Sequence, residues 1–443
     1  MSELPRVLHV IPRLSHGGAG RALECLTKTL GDFQHRVLSL ERGEAIDGLE
    51  PARRSELATA DIVHVHFWNA PALHELLTGD LPPARLLLAA TVGGDHPPQV
   101  LTRAMMEHAD MTVADAPRPD ALRLRVIPAI GDWERVEGIE PVPHAGFNVG
   151  YVGTVGFAKM HQRYVEMSAR IQVPDVRFVV CGGGDAFSTL VRQAEALGVR
   201  ERFELRGWAD DLAPVLSELD VFGYPLCEDN YSASELAIQE AMYAGVPPVV
   251  LPYGGAARAV QHGRTGLVAR DEHDYARAVE FLHEHPDERR RMGRSAREHA
   301  IATWSPAVVA RDWEAAYADL LEQPKRARSW WRDPDLALAA VRAPGAARFV
   351  ESLGEAAGAF RTSLLSDDPG RVLAAEREIA ASSPVLAGAD SGGILHYRGH
   401  YRDDPYLRLW SGLVLERQGR PALAAGEFAG ALAAGLDRAE QPA

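Results

Sequence analysis

The stretch "SELAIQEAMYAGVPPVVLPYGG", residues 234 to 255, packs a whole structural unit into a short span. Apolar residues recur at helical spacing from Leu236 to Met242, and Gly245 falls where that helix must stop. The run VPPVVLP that follows reads as a buried strand, and the pair Gly254-Gly255 breaks it in a second tight turn. Two acids, Glu235 and Glu240, sit near the start of the helix, within reach of a ligand.

Working outward, the same alternation fills most of the chain. RVLHVIP (6 to 12) reads as a strand that runs through a glycine loop into the apolar helix RALECLTKTL, and further strands are expected at 35 to 40, 61 to 67, 84 to 92, 110 to 115 and 124 to 129. The polar, proline-containing segment 132 to 146 interrupts the pattern. A second series follows at 147 to 153, 176 to 184, 202 to 208, 220 to 226, 246 to 252 and 265 to 269. Strands alternating with helices imply parallel sheets covered on both faces. The expected fold class is therefore α/β: two Rossmann-like, doubly wound domains, 1–140 and 141–323, with ligands at the carboxyl ends of the strands in the cleft between them. From about 274 the chain turns helical. PKRARSWWRDPD (324 to 335) reads as a basic linker to an Ala-rich helical extension, 324–443, in which Gly412, Gly419, Ala424, Phe428 and Ala431 match one tetratricopeptide-like hairpin. A lone hairpin does not fold by itself, so this tail is expected to pack on the second domain or to form a homodimer.

A chain of 443 residues exceeds one small core, and its 46% hydrophobic and 24% charged residues are those of a globular protein. No run reaches the roughly 18 apolar residues of a membrane span, and no secretory leader is visible, so a cytoplasmic protein is expected. The three cysteines, Cys25, Cys181 and Cys227, are far apart and offer neither a disulfide framework nor a zinc cluster. A net charge of -14 argues against a nucleic-acid surface, which needs a basic face. Anionic ligands are expected only in a local pocket.

The loops carry the chemistry. Gly17, Gly18 and Gly20 precede a helix whose free N–H groups and dipole favour an anion, and Arg21 adds a cation; a tight turn that merely needs glycine explains the loop equally well. Ser232, Ser234 and Glu235 read as the first turn of the helix bearing Glu240, where hydroxyls and N–H groups either cap the helix or cradle a diphosphate. Glu240 lies beyond capping range beside small residues, where a carboxylate suits two vicinal hydroxyls. His64 and His66 share one strand face, but no third metal ligand is evident beside them.

The segment ELAIQEAMYAGVPPVVLPYGGAARAVQHGRTGLVAR resembles the donor-binding region of GT-B glycosyltransferases of the family 4 type (glycosyl transferases group 1), whose pattern is E-x7-E, a small-residue helix end, PVV, GG and G-x-x-G-x-LV. The likeness extends over about residues 5 to 320 and is densest from 203 to 270. It implies that Glu240 holds the ribose of a nucleotide sugar. Ser232 stands where the family has its first glutamate, and Glu235, one turn on, is the candidate replacement. In VGTVGFAK the resemblance sets Gly153 and Thr154 against the donor, Thr154 in place of an arginine, and assigns Lys159 to the diphosphate. Trp208 is implied near the base, and Gly254 and Gly255 near the sugar nucleotide. On the acceptor side the family's histidine position falls on Gly93 of ATVGGDHPPQ, leaving Asp95 and His96 to approach the reacting centre, with His66 in the acceptor pocket.

The resemblance implies a retaining hexosyltransferase that moves a sugar from a nucleotide-diphosphate donor to a hydroxyl of a small-molecule acceptor, with Lys159, Asp95 and His96 as the catalytic candidates. It implies no cofactor and no metal. The composition, rich in Ala, Arg and Gly, points to secondary metabolism. Two other readings stay open: a phosphorylase or epimerase on the same fold, and a nucleotide-sugar-binding scaffold without turnover.

Overall fold

The computed structural model describes residues 3–90, 92–114 and 124–436. Thr91 and Asp115, at the ends of two expected strands, lie outside them, as does the carboxyl-terminal segment 437–443. Two six-stranded parallel sheets form the body. The first contains β1 (Arg6–Ile11), β2 (Gln34–Ser39), β3 (Ile62–Phe67), β4 (Leu86–Ala90), β7 (Met111–Ala114) and β8 (Leu124–Val126), in the order β2-β1-β3-β4-β7-β8. A short antiparallel hairpin of β5 (Asp95–His96) and β6 (Gln99–Val100) projects from its carboxyl edge. The second sheet contains β9 (Phe147–Val152), β10 (Val176–Cys181), β11 (Phe203–Gly207), β12 (Val221–Tyr224), β13 (Pro248–Val250) and β14 (Leu267–Val268), in the order β11-β10-β9-β12-β13-β14. All twelve strands of the two expected series are thus present.

Burial on both faces explains the composition of the central strands. Every residue of β3, β4 and β9 is buried, which only a sheet covered by helices on both sides permits. The strand order reverses between β1 and β3 in the first sheet and between β9 and β12 in the second, and such switch points open a crevice at the carboxyl ends. At the second crevice the turns after β9 and β10 touch. A Cβ on Gly182 would stand 1.7 Å from the Gly153 carbonyl oxygen, so only glycine permits the approach.

The helix Leu236–Tyr243 ends as the sequence implies. Gly245 adopts φ +80°, its N–H donates to the Met242 carbonyl, and the Val246 N–H donates to the Ala241 carbonyl at 2.9 Å, which is a Schellman closure. Behind it Gly293 of the helix Pro286–Trp304 packs so closely that a Cβ there would meet the Gly245 carbonyl at 2.1 Å.

Three expectations about organisation are corrected. The helix Pro306–Leu321, assigned to the second domain by its place in the chain, packs on the first: Val309, Trp313, Tyr317 and Leu320 join Leu26, Leu30 and Ile62 in one core. The segment read as a linker is fastened. Arg326 bridges to Ala84 through the backbone and reaches Asp110 at 2.6 Å, and Arg328 bonds the other oxygen of the same buried carboxylate. The helical tail packs on the first domain, not the second. Asn69 bonds Ser352 and Tyr397, Gln99 donates to the Ser391 carbonyl, and Tyr401 donates to Glu75. Within the tail, helices from Pro334 to Ala433 surround Phe349, Phe360 and Trp410, and the last two, Pro405–Arg417 and Pro421–Ala433, pack together with Phe428 filling the space above Gly412. Among the described residues no helix is long and apolar enough to cross a membrane.

Among the described residues Asp110 is the carboxylate that pairs with both Arg326 and Arg328, the second of which has a buried side chain. Replacing it with Ala leaves Arg328 unpaired out of water, which costs about 3–5 kcal/mol. The expected outcome is a clearly lowered urea midpoint for Asp110→Ala, and a midpoint equal to wild type would show that the clasp contributes nothing.

Candidate active site

Between the carboxyl edges of the two sheets lies a cavity of about 360 Å³. The first domain contributes Gly17 from the loop after β1, Gly18, Ala19 and Arg21 from the first turn of the helix that follows, and Trp68 from just beyond β3. The second contributes Gly153, Thr154 and Lys159 after β9, Gly182 and Gly183 after β10, Trp208 after β11, the run Tyr231 to Ala237, and Glu240.

Two helices begin at this cavity. The helix Gly18–Thr29 has Gly17 at its N-cap and no acidic residue in its first turn, so its leading N–H groups face the cleft without a side-chain partner. The helix Leu236–Tyr243 starts after the run from Ser232 to Glu235 that the sequence reads as its first turn. Its N-cap is Glu235, whose carboxylate makes no capping bond. The serines do other work: Ser232 Oγ accepts from the Gly255 N–H at 3.0 Å, and Ser234 Oγ accepts from the Ala129 N–H at 3.2 Å, tying the two domains together. Capping by Ser232 or Ser234 is therefore corrected.

Glu235 turns its carboxylate inward, where Oε2 meets Lys159 Nζ at 3.0 Å and accepts from the Tyr224 hydroxyl at 2.8 Å. Burial, the largest single effect, pulls the Lys159 ammonium down, but Glu235 together with Tyr231 and Cys227 outweighs it and holds the lysine above its usual value. Glu240, one turn and a half into the helix, is 5% exposed and faces the guanidinium of Arg135 at 3.8 Å. Burial pushes its carboxyl up to about 8, against the opposing pull of Arg21 and with Asp132 adding to the rise. At the mouth, the Arg21 guanidinium sits 5.1 Å above the Trp208 ring, and Trp208 donates to Asp210.

The site thus gathers Gly17, Gly18, Arg21, Gly153, Thr154, Lys159, Trp208, Ser232, Ser234, Glu235 and Glu240. Other sequence candidates fall outside the cavity lining. Asp95 and His96 are exposed on β5, and from that turn the Gly93 N–H donates to the Tyr231 carbonyl of the second domain at 3.1 Å. Gly254 and Gly255 pack against protein rather than open space, since a Cβ on Gly255 would meet the Ala233 carbonyl at 1.6 Å. Gly20 likewise lies against the Ser15 carbonyl. His66 lines a separate small cavity of about 40 Å³ that shares Ala19, Ala22, Ala129 and Ser234 with the main one.

Sequence reasoning missed Arg135, Trp68, Tyr224 and Tyr231. Arg135 lies in the segment that looked unpatterned, although Trp133 beside it is buried against Tyr243 and marked that segment as packed. The third histidine near His64 and His66 was also missed: parallel pairing sets His9 of β1 opposite His64 of β3.

Two doubly wound domains whose strand ends face one cleft make a GT-B fold, the architecture of a large class of glycosyltransferases. Residues 137–299 match the family model described as Glycosyl transferases group 1. The chain is 31% identical to the D-inositol 3-phosphate glycosyltransferase of Stackebrandtia nassauensis over 209 residues, 44% of this chain and 46% of that one. It is 27% identical to the N-acetyl-alpha-D-glucosaminyl L-malate synthase of Bacillus anthracis over 173 residues, 38% and 45% of the two chains. The chain thus spans about half the length of these curated relatives. Among solved structures, Anabaena HepE in complex with UDP-glucose superposes with a TM-score of 0.58 at 15% identity, covering 71% of this chain and 99% of that one. Sucrose-phosphate synthase from Thermosynechococcus elongatus gives 0.55 at 18% identity, over 71% and 99%.

Burial also sets the histidines near the cleft. Burial holds His9 and His64 well below their ordinary value of 6.5, with neighbouring imidazoles adding, and lowers His66 to about 4. Because these folded values lie below the unfolded one, the unfolded chain takes protons first as pH falls. Stability is expected to be intact above about 6.5 and to decline toward pH 4, by about 1.4 kcal/mol per pH unit for each imidazole kept neutral. Urea unfolding at pH 7.5 and 5.0 of Glu240→Gln, which removes the opposing titration of that raised carboxyl, reads this, and equal midpoints would mean the native cluster takes up protons as readily as the unfolded chain.

Proposed function

We propose that this chain transfers a sugar from a nucleotide-diphosphate donor to a hydroxyl of a small-molecule acceptor, with retention of anomeric configuration. The observation that carries the reading is the convergence on one cavity of two uncapped helix starts, Lys159 and the buried carboxyl of Glu240. The names of the relatives and of the structural neighbours, which include a UDP-glucose complex, support the donor class.

In this reading the diphosphate lies between the starts of the helices Gly18–Thr29 and Leu236–Tyr243, where free N–H groups stabilise negative charge without reorganisation. Lys159 meets the charge that develops as the bond from sugar to phosphate breaks, and exchanges part of its contact with Glu235 for the leaving group. Glu240 takes the ribose hydroxyls, and the base stacks near Trp208 under Arg21. Glu235 and Glu240 are the carboxylates that line the cavity among the described residues, and both have these other tasks. That leaves no side-chain carboxylate to attack or to activate the acceptor from the far face, which favours a front-side route with the donor phosphate assisting.

A second reading is binding without turnover. It is favoured by Thr154 and Ser232, and by Lys159 already having Glu235 as its counter-ion at 3.0 Å. Calorimetry with nucleotide-diphosphate sugars, paired with a transfer assay over a panel of acceptors, separates the two. Binding with neither transfer nor hydrolysis would select the scaffold.

For the enzyme reading, Lys159→Ala should lower kcat by about 10²–10³-fold with the fold intact. Unchanged turnover would remove Lys159 from the mechanism. Glu240 gives a pH test. A carboxylate accepts both ribose hydroxyls whereas the neutral acid accepts only one well, so with a free value of about 8 donor affinity should tighten as pH rises from 6 to 8. Binding should then release a proton, detectable in buffers of different ionisation enthalpy. Glu240→Gln should bind weakly and flatly across that range, and a wild type that is equally flat would refute the ribose assignment.

A further inference from the structure

The helical tail reaches the cleft through the loop after β3. Asn69, directly after the cleft residue Trp68, is 2% exposed, and both ends of its side-chain amide are engaged. The amide nitrogen donates to the Pro98 carbonyl at 2.7 Å and to the Ser352 hydroxyl at 3.1 Å, and Oδ1 accepts from the Tyr397 hydroxyl at 2.8 Å. Ser352 and Tyr397 belong to the tail. The tail loop of residues 390 to 392 closes over the same point. The Ser391 carbonyl accepts from the Gln99 amide, and Gly392, at φ +77°, packs so tightly that a Cβ there would stand 2.0 Å from the Asn69 carbonyl oxygen.

That loop also holds Trp68. The indole N–H donates to the Asp390 carbonyl at 3.2 Å, and the ring meets Tyr231 of the second domain at 79°, with centroids 4.9 Å apart. With its one polar atom bound to the tail, Trp68 presents hydrocarbon to the cavity it lines. Two other large side chains at the cavity stand with the donor machinery: Arg21 lies over Trp208, and Arg135 faces Glu240. Trp68 takes part in neither contact and belongs to the wall that the tail braces. Flat hydrocarbon in a cavity otherwise lined by N–H groups and charge suits a ring that is polar at its rim and carries C–H bonds on one face.

We propose that Trp68 is the surface on which the acceptor lies, that the acceptor is a saturated polyhydroxylated ring such as a pyranose or a cyclitol, and that the tail loop 390 to 392 sets the angle of that surface. Calling this ring the acceptor rests on the transferase reading above; the stacking and its dependence on the tail do not. The C–H face of the ring covers the indole, and the hydroxyls at its rim point away toward the sugar to be received. The tail is then part of the acceptor site, although among the described residues the side chains lining the cavity all come from the two sheet domains.

The full chain labelled with nitrogen-15 in tryptophan tests both parts. The Trp68 indole signal, identified by its loss in Trp68→Phe, should exchange slowly with water in wild type and shift in Gly392→Ala, whose methyl group pushes the loop away. In the transfer assay Trp68→Ala should raise the acceptor KM about tenfold or more, with donor affinity by calorimetry unchanged. Trp68→Phe, which keeps a ring but loses the bond to the tail, should recover part of that loss. Gly392→Ala, outside the cavity, should raise the same KM with kcat and donor affinity held, and Tyr397→Phe, which releases the Asn69 amide, replaces it if that variant does not fold. An acceptor KM within twofold of wild type in Trp68→Ala overturns the stacking, as does an equal loss of donor affinity, which would put the nucleotide base there instead. A tail variant that moves the indole signal without moving KM overturns the role of the tail. If wild type transfers no sugar, the transferase reading fails, and titration of the labelled chain with methyl α-glucoside and myo-inositol decides the rest: a saturable shift of the Trp68 signal supports the surface, and an unmoved signal overturns it.

Discussion

A buried ammonium needs a buried counter-charge, and that requirement organises the cleft. Lys159 comes from the turn after β9 and Glu235 from the start of the helix that follows β12, so their contact fixes the loop after β12 against the loop after β9. Tyr224, at the end of β12, closes the arrangement by donating to the same carboxylate oxygen. Once Glu235 is held, the helix behind it is set in register, Glu240 falls on the inner face beside Arg135, and the leading N–H groups face the opening. A shift of one residue at the N-cap would swing Glu240 by about 100° around the helix axis and out of the cleft.

The sheets were legible because parallel strands buried on both faces appear as unbroken apolar runs bounded by glycine, and VGYVG or VRFVVCGGG admits few other readings. What an apolar face covers is not written in the same way. Trp313, Tyr317 and Leu320 announce an amphipathic helix, but their spacing is the same whichever sheet receives them. The tail failed for a similar reason: its contacts to the first domain run through Asn69, Gln99 and Glu75, polar residues without a periodic signal.

Within the site, Glu240 and Lys159 could be found because each stands at a fixed distance from a strand end. Arg135 and Tyr231 could not, since their roles depend on how the domains meet. The serine pair shows the limit of local rules. Ser232 and Ser234 have the chemistry of caps, yet the N–H groups of Gly255 and Ala129 lie closer and claim both hydroxyls. His9 was hidden by topology, because only the pairing of β1 with β3 puts it opposite His64.

The chain passes between the two sheets at two points. It leaves the first domain through the segment after Val126 and comes back at Ser305, the single residue between the helices Pro286–Trp304 and Pro306–Leu321. A body joined to its neighbour by one strand can swing in any direction, but one joined by two strands can turn only about the line through both. Glu240 and Lys159 lie on one side of both crossings and Gly17 and Gly18 on the other, so the two halves of the cleft are held to each other by two covalent connections rather than one.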